Sequence, residues 1–294
     1  MYLDHIDEEE PFFDDKCGSG YSFPIPDSAV KKNKKPSFFM VLEGNIGAGK
    51  TTAMELMKEA IMNNEFHAPK IHTLKKEPIE KYTHFGCIFN PLRSMYENPD
   101  QNTPISQLHI MRESQKYFSS NLETQSQNIL AERSFLSTLP FLETYKRLNK
   151  ITPFTFAFLR EEWIKLGKDT CFPDVIIHLQ ASPDLCLERI KKRNRAGEEA
   201  VSRDFLIALD AAITVSIKYF EQITGARVIR LPIDKNTTRE NFKSHLITAI
   251  QCAYTYILIR EIGEIVAESH CAPPQLSSIE AKNKRYLHLV SKVK

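Results

Sequence analysis

The stretch GNIGAGKT (Gly44–Thr51) places Lys50 and Thr51 behind three glycines in the spacing G-x-x-x-x-G-K-[ST]. That pattern binds a nucleoside triphosphate. Along Gly44, Asn45, Ile46, Gly47, Ala48 and Gly49 the backbone N–H groups turn toward phosphate oxygens, and the helix that follows presents its positive end to them. Lys50 adds a point charge, and the hydroxyl of Thr51, with Thr52 next to it, suits the shell of a magnesium ion bridging two phosphates.

The acceptor is addressed further along. Glu77 in KKEPIEKY, and Glu132 with Arg133 in ILAERS, supply two carboxylates and a guanidinium. Beside a bound triphosphate these suit a base for an acceptor hydroxyl, a magnesium partner and a positive group for the reacting oxygens. In CLERIKKRNRAGEE, Arg189 and Arg193 lie four apart on one helix face, and Arg195 follows where NRAG breaks the helix. Arginines there close over a transferring phosphoryl group and exclude water. Any one of these charges also suits a solvated strand end or helix; the whole set behind a phosphate loop does not.

A parallel sheet is the scaffold that would bring them together. Short apolar runs alternate with helical patterns, which predicts an α/β, P-loop NTPase-type three-layer fold with helices on both faces and an arginine-bearing lid. Five strands are expected: Phe38–Glu43, Lys70–Lys76, Asn128–Arg133, Asp174–Gln180 and Arg227–Pro232. Pro78 forces the chain out of the sheet just after Glu77, and parallel sheets put ligands at the carboxyl ends of their strands. Residues 1–36 read as an N-terminal extension, 37–240 as the phosphate-binding domain, and 241–294 as a C-terminal helix packed on it with a polar tail. The cluster KKNKK (Lys31–Lys35) suits a solvated linker or a nuclear address.

Composition narrows the class. Hydrophobic residues are 42%, charged residues 26% and the net charge is +2, so no strong basic field argues for nucleic acid. The six cysteines form no CxxC pair, which argues against a disulfide framework or zinc site. No apolar run reaches the ~18 residues of a membrane span. The start MYLDHIDEEE is unlike a targeting peptide, so a cytoplasmic protein is expected, with the nucleus as the other option.

The order GNIGAGKTT, EPIEKY, LRSMY, ERS, REEW, DVIIHLQASPD and ERIKKRNRAGEE, from about Phe38 to Asp234, resembles the deoxynucleoside kinases. These comprise the deoxycytidine, deoxyguanosine, mitochondrial thymidine and insect multisubstrate enzymes. The resemblance implies phosphorylation of a deoxynucleoside 5′-hydroxyl by ATP with magnesium, in a homodimer. It casts Glu77 as the base, Arg133 as the group positioning the hydroxyl, and Glu132 as the carboxylate near magnesium. Tyr96 and Glu199 match the pair on the sugar 3′-hydroxyl, Gln107 the reader of the base edge, and Tyr82 a tryptophan of the base pocket. Arg189, Arg193 and Arg195 match the lid arginines.

The departures concern specificity. The lid has both Ala196 and Gly197 before its glutamates, Ser106 replaces an aromatic before Gln107, and Ser114 and Thr138 replace the Arg and Asp of the deoxycytidine and deoxyguanosine enzymes. Small hydroxyl residues lean toward a thymidine-like or broad preference, with Phe141 available to complete the base sandwich. Two other readings compete: a nucleoside monophosphate kinase, which needs a further arginine for its anionic acceptor, and a non-catalytic structural subunit. The retention of Lys50, Glu77, Glu132 and Arg133 argues against the second.

Overall fold

The computed structural model describes residues 38–65, 70–83, 90–120, 128–168, 170–195, 198 and 200–271; at positions 96, 99, 100, 120, 223 and 260–271 it describes the backbone alone. Five strands form one parallel sheet in the order β2-β3-β1-β4-β5. They are β1 (Phe38–Gly44), β2 (Thr73–Lys75), β3 (Asn128–Glu132), β4 (Val175–Ala181) and β5 (Arg227–Ile233). The second is shorter than the Lys70–Lys76 expected, and the third stops one residue early because Arg133 adopts a left-handed φ of 65°.

The helices are α1 (Lys50–Met62), α2 (Ile79–Thr83), α3 (Pro91–Glu97), α4 (Pro99–Ser120), α5 (Thr138–Arg147), α6 (Pro153–Gly167), α7 (Pro183–Arg193), α8 (Arg203–Thr224) and α9 (Arg239–Cys271). All seven residues of β1 are buried, which explains the apolar run from Phe38 to Leu42: a central parallel strand has no solvent face. Its edges are paired too, and Phe39 N also donates to the Asp174 carboxylate at 3.0 Å. Helices α1 and α9 pack together as one layer, while α4, α5, α6 and α8 make the other through mutual contacts.

Local chemistry sets the helix ends. Thr152, Ser182 and Ser202 accept from Thr155 N, Leu185 N and Phe205 N, each satisfying an amide that the first turn leaves unbonded. Asn194 at φ 49° ends α7, so Arg193 stands on its last turn and Arg195 beyond it. In α9, Phe242, Leu246, Ile250, Ala253 and Ile257 are buried at three- and four-residue steps. Lys243 binds Glu65 at 2.6 Å, which ties α9 to the end of α1.

The order of strands decides where the site lies. β1 and β3 are neighbours with Leu42 opposite Glu132, so the glycine loop and the ERS turn leave the sheet side by side. β2 pairs on the far side of β3, and Glu77 follows it by two residues.

Candidate active site

The glycine loop is held in shape by its own surroundings. Gly47 has φ 81°, and a Cβ there would lie 2.6 Å from the Cys186 carbonyl oxygen, so the chain passes α7 too closely for any side chain. Asn45 is buried, its amide donating to Leu206 O at 2.8 Å and its oxygen accepting from Ile46 N at 2.9 Å. Lys50 Nζ donates to Gly44 O (3.0 Å) and Asn45 O (2.7 Å), using two of its three N–H bonds. Burial, then the neighbouring Arg133 charge, lowers the Lys50 ammonium to about 8, against the opposing pull of Glu77, Glu132 and Glu43. Gly49 caps α1 in a left-handed conformation without a side-chain cap, so the first-turn amides keep their polarity for an anion.

Thr51 Oγ1 donates to Glu132 Oε1 at 2.7 Å. The cleft that this pair borders carries the basic set. Arg189 reaches the loop itself, donating to Ala48 O (3.3 Å) and Gly47 O (3.4 Å). Arg193 meets Glu198 through Nε and Nη2 at 2.7 to 3.1 Å, and Arg195 lies 3.6 Å from the same carboxylate. A cleft of about 470 Å³ is bordered by Lys50, Thr51, Thr52, Glu132 and these three arginines.

Glu77, Arg133 and Tyr82 border both this cleft and a smaller cavity of about 50 Å³ next to it. Arg133 Nε donates to Glu77 Oε2 at 3.2 Å, and its guanidinium lies 4.9 Å from the Phe141 ring centre. A residue absent from the sequence-level site completes this group. Glu43, the last side chain of β1, is 5% exposed; Ser137 Oγ donates to its Oε1, and its Oε2 lies 3.9 Å from Arg133 Nη1. Burial raises the Glu43 carboxyl above its ordinary value, while Arg133 and then the Ser137 hydrogen bond draw it down. The available signal was a lone carboxylate ending a wholly apolar strand at the phosphate loop.

The cavity is lined by Leu92, Met95 and Ile110 with Gln107, Thr138 and Phe141. Gln107 Nε2 faces Met95 Sδ at 3.0 Å, and its buried Oε1 has no hydrogen-bond partner among the described residues. An orphaned amide oxygen costs about 1–3 kcal/mol, so a ligand or water is expected to meet it. Thr138 Oγ1 donates to Phe135 O (2.8 Å) and accepts from Trp163 Nε1 (3.0 Å), with Trp163 stacked on Phe135. Ser106 and Ser114 are buried on α4. Tyr82 is buried, which raises its phenol well above the ordinary value. Tyr96 falls on α3 without a described side chain, and Ala196, Gly197 and Glu199 lie outside the described residues.

Residues 40–253 match the family model described as deoxynucleoside kinase. The chain belongs to the deoxynucleoside kinase family. Human mitochondrial thymidine kinase 2 is 29% identical over 188 residues, covering 63% of this chain and 65% of that one, so the match spans just under two thirds of the relative's length. A probable deoxycytidine kinase of fowlpox virus (strain NVSL) is 28% identical over 182 residues, 61% of this chain and 69% of the viral one. Among solved structures, the deoxyadenosine kinase of M. mycoides superposes with a TM-score of 0.56 at 16% identity, over 72% of this chain and 98% of that one. At that identity the likeness speaks for the deoxynucleoside kinase fold alone. No helix among the described residues is long and apolar enough to cross a membrane.

Proposed function

We propose that this chain transfers the γ-phosphoryl group of ATP to the 5′-hydroxyl of a deoxynucleoside, giving the 5′-monophosphate. The observation that carries the reading is the Arg133–Glu77 contact of 3.2 Å at the border shared by the phosphate cleft and the cavity. An acceptor in the cavity would meet a carboxylate and a guanidinium where it faces the triphosphate. Glu77 takes the proton of the hydroxyl as it attacks, and Arg133 orients that hydroxyl. Lys50 and the lid arginines Arg189, Arg193 and Arg195 neutralise charge developing on the phosphoryl oxygens.

Thr51 and Glu132 are the groups that would hold magnesium. Among the described residues no three His, Cys, Asp or Glu side chains cluster as a dedicated metal site. Magnesium brought by a triphosphate needs only one or two protein oxygens, since phosphates and water fill the rest, so this sparse hydroxyl and carboxylate fit it. Bound there, the ion would supply charge stabilisation between the phosphates.

In the cavity, Gln107 reads the base edge, with Tyr82 and Phe141 bordering the base and Thr138 at its far end. Tyr96 and Glu199 remain the proposed partners of the sugar 3′-hydroxyl. Arg133 is the only arginine lining the cavity among the described residues, and it is engaged by Glu77 and Glu43. That favours a neutral acceptor over a monophosphate, whose dianion would call for a further cation. The same reading takes in a cytoplasmic or nuclear setting and a homodimer. The deciding experiment incubates the full chain with labelled ATP and magnesium against four deoxynucleosides and four monophosphates. Label on deoxynucleosides supports the proposal; label on monophosphates alone makes it a monophosphate kinase, and none at all points to a non-catalytic relative.

A further inference from the structure

Glu43 has no part in the reaction as described, yet its two oxygens are taken separately. Oε1 accepts from Ser137 Oγ, and Oε2 faces Arg133 Nη1 at 3.9 Å. Ser137 Oγ in turn accepts from Ser134 N at 2.8 Å, so the turn directly after Arg133 fixes the hydroxyl that holds Glu43. On the other side of the same guanidinium, Nε donates to Glu77 Oε2. Arg133 thus lies between a carboxylate from the end of β1 and one from beyond β2, over the Phe141 ring. Its backbone is pinned as well, in a left-handed conformation with N bonded to Leu42 O at 3.1 Å.

A guanidinium facing one carboxylate tends to turn its fork of parallel N–H bonds onto both oxygens. Such a contact would occupy all of Glu77. The observed contact uses Nε and Oε2 alone, and among the described residues Oε1 of Glu77 accepts no hydrogen bond. The second carboxylate supplies the opposing attraction on the Nη1 side.

We propose that Glu43 is a positioning residue that holds the Nη1 side of Arg133, so that Glu77 keeps one oxygen open to the acceptor hydroxyl. This rests on the reading of Glu77 as the base. Glu43→Gln keeps the size of the side chain and an oxygen for Ser137, but removes the charge that attracts Arg133. Without it the fork closes on Glu77.

The test compares wild type, Glu43→Gln, Glu43→Asp and Ser137→Ala for kcat, deoxynucleoside affinity, KM for ATP and Tm. For Glu43→Gln, kcat is expected to fall about tenfold or more, with deoxynucleoside affinity and KM for ATP within about threefold. Its Tm should change little, because the buried Arg133 keeps Glu77 as its charge partner when Glu43 is made neutral. Asp should restore part of kcat, and Ser137→Ala should lower it by a smaller factor. An unchanged kcat in Glu43→Gln overturns the proposal, as does a kcat that falls only in step with Tm and both affinities. If Glu43→Gln does not fold, Ser137→Ala decides, and normal kcat in that variant overturns the proposal. A wild-type chain inactive on every deoxynucleoside defeats the kinase reading instead, before Glu43 is in question.

Discussion

Thr51 Oγ1 and Glu132 Oε1 are joined by a 2.7 Å hydrogen bond that ties the first turn of α1 to the carboxyl end of β3. The pair brings a hydroxyl and a carboxylate together beside the phosphate loop. Glu132→Gln is expected to raise the magnesium concentration for half-maximal rate by about 10- to 100-fold, the usual scale for losing a group that holds or orients a metal ligand. Thr51→Ala should act in the same direction, and Thr51→Ser should be near normal. The measurement is initial rate against magnesium at fixed ATP. Superimposable curves for wild type and Glu132→Gln would dismiss the pair as a magnesium site.

Glu77→Gln keeps size but cannot accept a proton. Its kcat on a deoxynucleoside should fall by roughly 10²- to 10⁴-fold while nucleoside affinity changes much less. Stopped-flow turnover and equilibrium binding on the same preparation check both halves. A folded Glu77→Gln enzyme with wild-type kcat removes the base assignment.

Stability should climb with pH just above neutrality. Burial lowers both Lys50 and Lys75 from 10.5 to about 8 in the folded chain. Below that point folded and unfolded chains both hold the protons and the burial cost is fully present. Above it the unfolded chain binds more protons, so each lysine adds up to about 1 kcal/mol of stability per pH unit until its unfolded value is reached. The buried Cys186 thiol, raised from 9.0 to about 11, works in the opposite direction once the unfolded thiol ionises. The clean window is therefore from about pH 8 to about pH 9. Urea midpoints across it should rise in wild type and rise less in Lys75→Met; a decline in both would contradict the burial of these ammonium groups.

Two glycines with left-handed φ should behave differently. At Gly47 a Cβ meets the Cys186 carbonyl at 2.6 Å, whereas at Gly225 nothing lies within 4 Å. Gly225→Ala should cost about 1 kcal/mol of stability from φ alone and leave nucleotide affinity intact. Gly47→Ala adds a backbone clash and should weaken ATP binding by at least about tenfold, since strain of 1–3 kcal/mol falls on the loop that grips phosphate. Calorimetric Kd and Tm for both variants provide the comparison, and equal Kd values would refute it.

Much of this was legible because periodicity and spacing are local properties. The apolar FFMVLE, ILAE and VIIHLQ runs mark buried parallel strands, and the strand before GNIGAGKT identifies the phosphate loop without any tertiary information. Glu43 was not legible. Its partners Arg133 and Ser137 lie some ninety residues away, and only the pairing of β1 with β3 brings them together. Strand β2 was overestimated because Lys70 to His72 are apolar and β-prone only in part, and the ladder with β3 begins at Thr73. Gln107 illustrates the opposite limit: an amide amid a helical stretch reads as surface, and only the fold turns it inward beside Met95.

The strand order also bears on how the chain is made. β1 emerges during synthesis before either of its neighbours, and the carboxylate that holds Phe39 N is 135 residues downstream. The Leu206 carbonyl that anchors Asn45 is 161 residues away. A nascent chain released before α8 would carry the glycine motif and both neighbours of β1, yet lack the grip on the loop that Leu206 supplies and leave β4 as an apolar edge without β5. Such a fragment is a target for chaperones and self-association rather than for nucleotide.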